Sequence, residues 1–382
     1  MRVVFVPHAY SPSIGGAEGY TRGLAEELAT HRHEVHVVVA DVVNPEAFYE
    51  LGHAAVGMAE ETIAEVQVHR LPFHSFSYRR PNALIGSEKA IESARSRFRE
   101  HLGPVLASLQ PDVVITLPHL FPNVEDVVGL RSSAAWKLVY APMLHEDDPY
   151  WSIERVSEAV VASDGVIALT DYERSRLIAS YGARESAVAT VPPGVDVAIV
   201  HRDEERDEVV LFVGRRTPSK RLDVLYEAMK TVWVDHPSAR LTIAGSAPTR
   251  GLDPAAFMAA DQRVTVTTSP SDAERDQLLA SARLVVSPSS TESFGIAILE
   301  AWAHETPVVL VDSPVNRSVI RHDVDGVIAA SLEADDLAAA IGQLLGDPDL
   351  AMSMGRAGRQ RVESEFTWSN AAQSLQQLLE TL

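Results

Sequence analysis

The chain predicts an α/β fold with parallel sheets and at least two domains. Short apolar runs, such as residues 2–6 and 209–213, recur along the sequence and are separated by segments with an apolar residue every three or four positions. Continuous apolar runs are typical of strands buried in a parallel sheet, and the spaced pattern is typical of the helices that cover it. A length of 382 residues exceeds what one hydrophobic core usually organises.

Composition excludes several classes of protein. The net charge is -20, which argues against a nucleic-acid-binding protein, and the absence of cysteine excludes disulfide scaffolds and cysteine-based metal or redox chemistry. No apolar run reaches the ~20 residues that span a bilayer, and the chain enters a strand directly after Met1-Arg2. We therefore expect a cytoplasmic enzyme without a signal peptide.

The first elements predict a βαβ unit. A strand over residues 2–6 leads through a polar loop to Gly15-Gly16, a helix follows, and the second strand, residues 34–40, ends at Asp41. A dinucleotide fingerprint would also place glycines and an acidic residue here, but the spacing is not Gly-x-Gly-x-x-Gly and the loop is too long for that tight turn. Two roles remain as alternatives for Gly15-Gly16: a structural turn, or a close approach of their backbone to a phosphate.

The middle of the chain carries candidate polar residues after predicted strands. His119 follows the strand over residues 111–117, where side chains often face a ligand. His145 and Asp147-Asp148 follow residues 137–142 and supply too few ligands for a zinc site, so no metal is expected. The charged segment 201–208 is the best candidate for a domain boundary.

A predicted helix over residues 87–109 concentrates positive charge in an acidic chain. Its cations are Lys89, Arg95, Arg97 and Arg99, and acidic residues stand near them in the same helix. A solvated face with i,i+4 ion pairs is the simpler interpretation. The alternative is peripheral contact with an anionic membrane or recognition of a phosphorylated acceptor.

Two loops in the second half carry the strongest functional pattern. The strand over residues 209–213 is followed by a loop with four cations, Arg215, Arg216, Lys220 and Arg221. A second strand ends near residue 286 and delivers Glu292 in a loop and Glu300 in the following helix. Carboxyl ends of parallel strands are where ligands bind, and a cationic loop suits a diphosphate. Taken alone, Glu292 could simply cap a helix and Glu300 could be solvated.

The segment from Glu292 to Glu300, Glu-Ser-Phe-Gly-Ile-Ala-Ile-Leu-Glu, resembles the Glu–seven–Glu signature of retaining nucleotide-sugar-dependent glycosyltransferases of family four. The Arg215-to-Lys220 spacing and the early Gly-Gly are similar to that family as well. The resemblance implies the GT-B fold, in which two facing Rossmann-like, doubly wound parallel-sheet domains flank a cleft. It implies an N-terminal acceptor domain over residues 1–200, a nucleotide-sugar domain over 201–366, and a last helix over 367–382 that crosses back to the first domain.

Site roles follow from the same resemblance, residue by residue. Arg215 and Lys220 would bind the donor diphosphate, Glu292 the donor sugar, and His119 the sugar near the reacting carbon. Further donor contacts would come from Gly15, Gly16, Gly245, Ser293, Phe294, Gly295 and Ile296, with Glu300 on the ribose. Departures from the family occur at Pro193, at Thr268, where relatives often have Gly, and at residues 312–318, so the base and the sugar stay open.

These observations together predict a metal-independent, retaining hexosyltransferase with no cofactor beyond its UDP- or GDP-linked sugar. The acceptor would be a small molecule, a lipid or a glycan, and a location on the inner face of the cell membrane is compatible with the basic helix. A phosphorylase of the same fold is the alternative enzyme, but no cofactor lysine or phosphate site is evident. A non-catalytic sugar-nucleotide-binding protein is the other alternative.

Overall fold

The computed structural model describes residues 1–13, 15–43, 47, 55–57, 59–73, 87–119, 121–131, 134–146, 151–197, 206–248 and 253–382, with backbone only at 87–92 and 94. These residues form two compact units, Met1–Pro193 with Trp368–Leu382, and Gly194–Thr367. The predicted boundary at residue 200 lies outside the described residues. No helix in the described part of the chain is both long and apolar enough to cross a membrane.

The first unit is built on an eight-stranded sheet of order β3-β4-β2-β1-β5-β6-β7-β8. Its strands are β1 (Arg2–Pro7), β2 (Glu34–Ala40), β3 (Glu60–Ile63), β4 (Val66–Leu71), β5 (Val113–Leu117), β6 (Lys137–Tyr140), β7 (Gly165–Ala168) and β8 (Val188–Thr190). Its first five helices are α1 (Gly16–Thr30), α2 (Ser87–Leu109), α3 (Pro122–Arg131), α4 (Ile153–Ala162) and α5 (Asp171–Ser180). All neighbouring strands are parallel except the edge pair β3 and β4, which the sequence did not predict as a hairpin.

The second unit has a six-stranded, wholly parallel sheet of order β11-β10-β9-β12-β13-β14. Its strands are β9 (Val209–Val213), β10 (Arg240–Ala244), β11 (Val264–Thr267), β12 (Leu284–Ser287), β13 (Val308–Leu310) and β14 (Gly326–Ile328). Its helices are α6 (Leu222–Asp235), α7 (Pro254–Met258), α8 (Asp272–Ser281), α9 (Ile296–Ala303), α10 (Pro314–Val319), α11 (Ala334–Gly346) and α12 (Pro348–Glu365).

Both sheets reverse their winding at their first strand. In the first unit β1 lies between β2 and β5, and in the second unit β9 lies between β10 and β12. Helices leave the two sides of such a strand on opposite faces of the sheet, so the loops beyond its carboxyl end part and leave a crevice. The fold therefore points to the loops after β9 and β12 as the binding edge of the second unit.

Helix α12 is not among the helices that the sequence predicts, because interior glycines lower helix propensity. The structure shows what two of these glycines do. A side chain at Gly358 would overlap the ring of Trp302 in α9, and one at Gly355 would meet the backbone carbonyl of Glu305. The glycines thus allow α12 to pack closely against α9.

The last helix, α13 (Trp368–Glu380), belongs to the first unit. Its buried residues are Ala371, Ala372, Leu375, Leu378 and Leu379. The Trp368 ring lies against the backbone of Gly23 in α1, where an added β-carbon would come within 2.3 Å of it. Trp368 therefore packs against α1.

Candidate functional site

The turns that follow β9 and β12 meet through an ion pair. Lys220 Nζ contacts Glu292 Oε1, although the two residues are 72 positions apart in the chain, and both side chains are mostly buried. Nothing in the local sequence requires this contact, since each residue sits in its own loop. The sheet brings them together because β9 and β12 are neighbours with parallel carboxyl ends.

The backbone around Lys220 explains where its side chain points. Residues Pro218–Lys220 form a 3-10 turn, and Arg221 then adopts a left-handed conformation with φ 48° before α6 begins. Such a conformation costs a non-glycine residue about 1 kcal/mol or more. Arg221 Nη2 donates to the carbonyl of Leu332 at 3.1 Å, which helps to hold this reversal.

The neighbouring arginines have different environments. Arg215 is exposed on the same turn as Lys220. Arg216, considered from the sequence as a further cation for a diphosphate, is buried instead, and its side chain donates to Asp253, Thr268 and the carbonyl of Gly245. Arg216 is therefore occupied inside the protein and does not serve as a diphosphate ligand.

The start of α9 leaves backbone donors without a side-chain cap. Gly295 is the N-cap residue, has φ 90°, and provides no side-chain hydrogen bond. Phe294, just before it, is buried edge-on against Phe366 with ring centroids 5.8 Å apart. Ser293 precedes Phe294, and Ile296 is the first helical residue. The N–H groups of the first turn, with the positive end of the helix dipole, suit an anionic or hydroxyl-rich ligand.

Glu300 lies in the interior of the same helix. Burial raises the pKa of its carboxyl group, and the opposing attraction comes from Arg275 in α8, whose Nη2 is 3.5 Å from Glu300 Oε1. Asp276 and Asp272 add repulsion that also raises this pKa. The arrangement keeps a carboxylate at low exposure beside one guanidinium, where it can accept hydrogen bonds from a polar ligand.

Gly245 cannot carry a side chain. Its φ is 146°, and an added β-carbon would lie 1.9 Å from the carbonyl oxygen of Gly214. The turns after β9 and β10 are therefore in direct contact. A backbone hydrogen bond from Arg216 N to Ser246 O, at 3.0 Å, joins them as well.

Gly15 and Gly16 of the first unit lie at the start of α1 and do not form a tight turn. Gly15 is extended, with φ -179°, so its backbone would suit any residue. An added β-carbon there would come 2.3 Å from Glu18 Oε2, so the Glu18 side chain would have to shift. Gly16 begins α1.

Two residues near Gly15 were missed from the sequence. His8 follows β1, is buried, and places Nε2 3.3 Å from Glu18 Oε1. Its ring stacks on Phe121 with a centroid separation of 4.3 Å. A histidine directly after a strand and a glutamate in the first turn of a helix are the signals that could have indicated them.

His119 lies after β5 at the switch point of the first sheet. It is buried, its backbone N–H donates to the carbonyl of Pro142 at 3.0 Å, and its ring contacts Trp151 edge-on at 4.9 Å. Burial, with a smaller contribution from Arg155, lowers its pKa to about 4. The imidazole is neutral at pH 7, and its buried Nε2 has no hydrogen-bond partner among the residues that the structure describes.

The remaining polar residues singled out from the sequence have structural partners or fall outside the described residues. Asp41 Oδ1 accepts from the backbone N–H groups of Val56 and Gly57, which gives it a local role. His145 Nδ1 lies 2.8 Å from the carbonyl of Met143, and Asp147-Asp148 is not described. No group of three or more metal-ligating side chains occurs in the described residues.

The predicted basic helix is only partly described. Arg99 pairs with Asp126 of α3 at 2.6 Å, and the side chains of Lys89 and its acidic neighbours up to residue 92 lie outside the description. The ion pair joins two helices of the first unit. Whether this helix contacts a membrane remains a prediction.

Models of known protein families match both halves of the chain. The family model for glycosyl transferases group 1 matches residues 199–361, and the model for Glycosyltransferase Family 4 matches residues 14–199. The D-inositol 3-phosphate glycosyltransferase of Segniliparus rotundus is 31% identical over 245 residues, which is 60% of this chain and 54% of the relative. That of Nocardia farcinica is 30% identical over 239 residues, 57% of this chain and 52% of the relative. The alignments thus span about half the length of these relatives.

Solved structures share the architecture over the whole chain. Sucrose-phosphate synthase from Thermosynechococcus elongatus superposes with a TM-score of 0.78 at 20% identity, covering 100% of this chain and 99% of that chain. HepE from Anabaena, in complex with UDP and glucose, gives a TM-score of 0.77 at 18% identity with 100% coverage of both chains. These structures show that the chain has the GT-B fold. The two family models together span residues 14–361, so the chain belongs to the group 1 and family 4 glycosyltransferases.

Proposed function

We propose that this chain is a retaining glycosyltransferase that transfers a hexosyl group from a UDP- or GDP-linked sugar to an acceptor hydroxyl without a metal ion. The observation that carries the proposal is the ion pair between Lys220 and Glu292 at the switch point of the second sheet. It joins the cationic turn predicted for a diphosphate to the acidic turn predicted for a sugar. A nucleoside diphosphate sugar contains both groups, linked at the bond that reacts.

The Lys220–Glu292 pair suggests how the donor is received. Without a ligand, each side chain neutralises the other at low exposure. A bound diphosphate offers Lys220 stronger negative charge, and Glu292 can then accept hydrogen bonds from sugar hydroxyls. Exchange of partners avoids leaving either charge buried alone, which would cost several kcal/mol.

Arg215 and Lys220 would supply the main electrostatic stabilisation. As the bond between the anomeric carbon and the phosphate oxygen breaks, its electron pair passes to the diphosphate, whose negative charge grows. A fixed cation stabilises that developing charge more than it stabilises the bound donor, so it lowers the barrier. Arg215 is exposed enough to reach a ligand, unlike Arg216.

The other residues of the second unit fit the remainder of the donor. Glu300 would accept hydrogen bonds from the ribose hydroxyls, which matches its position beside Arg275. Ser293, Phe294, Gly295 and Ile296 would offer backbone N–H groups to the sugar. The glycine at position 245 would keep the neighbouring turn low enough for the nucleotide to lie close to the backbone.

Residues of the first unit would complete the reaction on the acceptor side. Gly15 precedes α1 and Gly16 begins it, and His119 presents a neutral Nε2 that has no hydrogen-bond partner among the described residues and suits a sugar hydroxyl. No carboxylate in the described residues is assigned as a covalent nucleophile. The acceptor oxygen would attack from the face that the diphosphate leaves, and its proton would pass to a departing phosphate oxygen. The configuration at the anomeric carbon is then retained.

The relatives suggest which substrates to test first. HepE has been crystallised with UDP-glucose, and the curated relatives are named for D-inositol 3-phosphate. UDP-glucose is therefore the first donor to try, with GDP-linked sugars beside it. Inositol phosphate and uncharged polyols are the first acceptors to try.

A donor-hydrolysis assay in the presence of a chelator tests the proposal. We expect release of the nucleoside diphosphate from a UDP- or GDP-sugar, and a reduction of about 100-fold in Lys220→Ala, the effect of removing one preorganised charge. Lys230→Ala is the control, because Lys230 is an exposed cation of α6 paired with Glu227. Equal activity in Lys220→Ala and Lys230→Ala would refute the diphosphate assignment.

A further inference from the structure

Two histidines on neighbouring strands of the first sheet share a hydrogen bond. His36 in β2 and His69 in β4 place Nδ1 and Nε2, respectively, 3.0 Å apart. Both side chains are mostly buried, with 8% and 18% of their surface exposed. A hydrogen bond between two imidazole rings requires a hydrogen on one of the facing nitrogens and none on the other. The contact therefore depends on how many protons the pair holds.

A carboxylate faces the outer nitrogen of each ring. His36 Nε2 lies 3.1 Å from Glu34 Oε1, and His69 Nδ1 lies 3.5 Å from Glu60 Oε1 of β3. An ionised carboxylate only accepts hydrogen bonds, so it favours a hydrogen on the ring nitrogen that faces it. Arg2 of β1 contacts Glu34 in turn, with Nε 2.9 Å from Oε1, and Asp112 accepts from the backbone N–H of Arg2.

The face of the sheet that carries the two rings is covered by an apolar helix surface. His36 lies beside Val4 of β1, and His69 lies beside Val38 of β2. Both valines belong to a core cluster with three residues of α2: Phe98, Leu102 and Leu106. Burial disfavours charge on a side chain. A second positive charge on the histidine pair is therefore costly.

The number of hydrogens on the four ring nitrogens decides whether the two rings can stay bonded. With two hydrogens both rings are neutral, and His36 Nε2–H donates to Glu34 while His69 Nε2–H donates to His36 Nδ1. A third hydrogen fits on His69 Nδ1, where it faces Glu60. A fourth would have to sit on His36 Nδ1 and point at the N–H of His69. Two donors and two cations would then face each other at 3.0 Å.

The electrostatics of the pair agree with this order. Burial lowers the pKa of His69, the neighbouring His36 lowers it further, and Glu60 opposes both effects. Two interacting imidazoles take up protons in two steps that belong to the pair. The second proton is taken up at lower pH than the first, so the hydrogen bond between the rings is intact at neutral pH.

This hydrogen bond fastens the edge of the sheet. Strand β4 lies between β2 and the edge strand β3, none of whose side chains is fully buried. The β3–β4 hairpin also carries Arg70, which pairs with Glu61 and donates to the carbonyl of Ser11 in the loop after β1. A change in how β4 is held therefore reaches the turn that leads to α1.

We propose that His36 and His69 form a pH-sensitive latch, which fastens the β3–β4 hairpin to β2 at neutral pH and releases it when both rings are protonated. The site lies on the first sheet, and the inference goes beyond the proposed function without depending on it. The backbone hydrogen bonds between β2 and β4 remain possible after release. The expected change is thus a local loosening of the hairpin, with the rest of the unit folded.

Hydrogen exchange of the full chain at pH 7.5 and 5.0 tests the latch. Rates would be corrected for the intrinsic pH dependence of exchange, and protection of β4 would be compared with that of β5. An imidazole in the opened hairpin has its ordinary pKa of 6.5, so at pH 5.0 it takes the proton that the latch excludes. We expect the protection of β4 relative to β5 to fall by roughly 30-fold over this interval.

His69→Gln separates the latch from general acid destabilisation. The glutamine amide can offer His36 either an N–H or an oxygen, so it keeps a hydrogen bond in both protonation states and does not titrate. We expect β4 of this variant to keep nearly the same relative protection at both pH values. His101→Gln, at an exposed histidine of α2, is the matched control and should retain the full fall. Thermal unfolding at pH 7.5 would show that each variant is folded.

A second measurement addresses the proton count directly. NMR titration of the ring C–H signals should show both His36 and His69 responding to two separate steps, and His36 responding to a single step in His69→Gln. Independent one-step titration of both rings in the unmodified chain would overturn the inference. An equal fall in β4 protection in the unmodified chain and in His69→Gln, or no fall in either, would also overturn it. The donor-hydrolysis assay at pH 7.5 tests the transferase proposal separately, because the latch is closed at that pH.

Discussion

The lowered pKa of His119 leads to a quantitative prediction of how the free energy of unfolding changes at acid pH. The folded chain lowers the pKa of this buried imidazole from 6.5 to about 4. The neutral form is therefore favoured by folding, while the unfolded chain binds a proton near pH 6.5. The stabilisation from this group is complete above the unfolded pKa and is lost progressively as the pH falls toward the folded pKa.

The magnitude follows from the size of the shift. A difference of roughly 2.5 pKa units corresponds to about 3.4 kcal/mol once the pH is well below both values. Over the milder interval from pH 7.5 to 5.5, the same linkage predicts a loss of about 1.4 kcal/mol, close to a tenfold change in the unfolding equilibrium constant. This interval avoids the strongly acidic range in which many carboxylates also titrate.

The perturbation is His119→Gln, which keeps a polar side chain but cannot titrate. Urea unfolding of the first unit would be followed at several pH values for both proteins, with hydrogen exchange on β5 to separate the two units. We expect the unmodified chain to lose about 1.4 kcal/mol more than the variant between pH 7.5 and 5.5. If the free energy of unfolding changed equally with pH in the two proteins, the reasoning would be refuted, because all other titratable groups are common to both.

Two other predictions test the site and the packing. Arg275→Gln removes the attraction that opposes burial at Glu300, so the Glu300 pKa should rise further and the acid limb of donor binding should move to higher pH. Donor KM measured across pH 5.5–8 checks this, and an unmoved limb contradicts it. Gly23→Ala should destabilise the first unit by about 1–3 kcal/mol, because the new β-carbon meets the ring of Trp368. Gly19→Ala, with open space around it, should instead stabilise α1 by about 0.5–1 kcal/mol in the same unfolding assay.

Much of the fold could be predicted because strands of a parallel sheet carry their own signal. Continuous apolar runs marked β1, β5 and β9 directly, since burial on both faces leaves no alternation to interpret. The short edge strand β3 gave no such signal, because its side chains are exposed or half-buried. Helix α12 was missed for a related reason: its glycines serve a packing contact with α9 that no local pattern reveals.

The candidate site, like the fold, could be predicted from the sequence only in part. Loop position after a buried strand indicated a binding edge for Lys220 and Glu292, and the resemblance to the glycosyltransferase family supplied the roles expected of them. The sequence could not show that Arg215 is exposed and Arg216 is buried, because two adjacent arginines have the same local sequence pattern. Only the position of Asp253 in the folded unit makes Arg216 an internal anchor.

The amino-acid sequence by itself determined that this protein has parallel α/β units with charged turns at their strand ends, because apolar periodicity and turn chemistry are local properties. The tertiary structure alone decided which of those charges meet. It paired Lys220 with Glu292, buried Arg216 against Thr268, and left Nε2 of His119 without a hydrogen-bond partner in the described part of the chain. The physical reason is that electrostatic and hydrogen-bond partners here are separated by tens of residues, and only the order of strands in each sheet fixes which of them lie side by side.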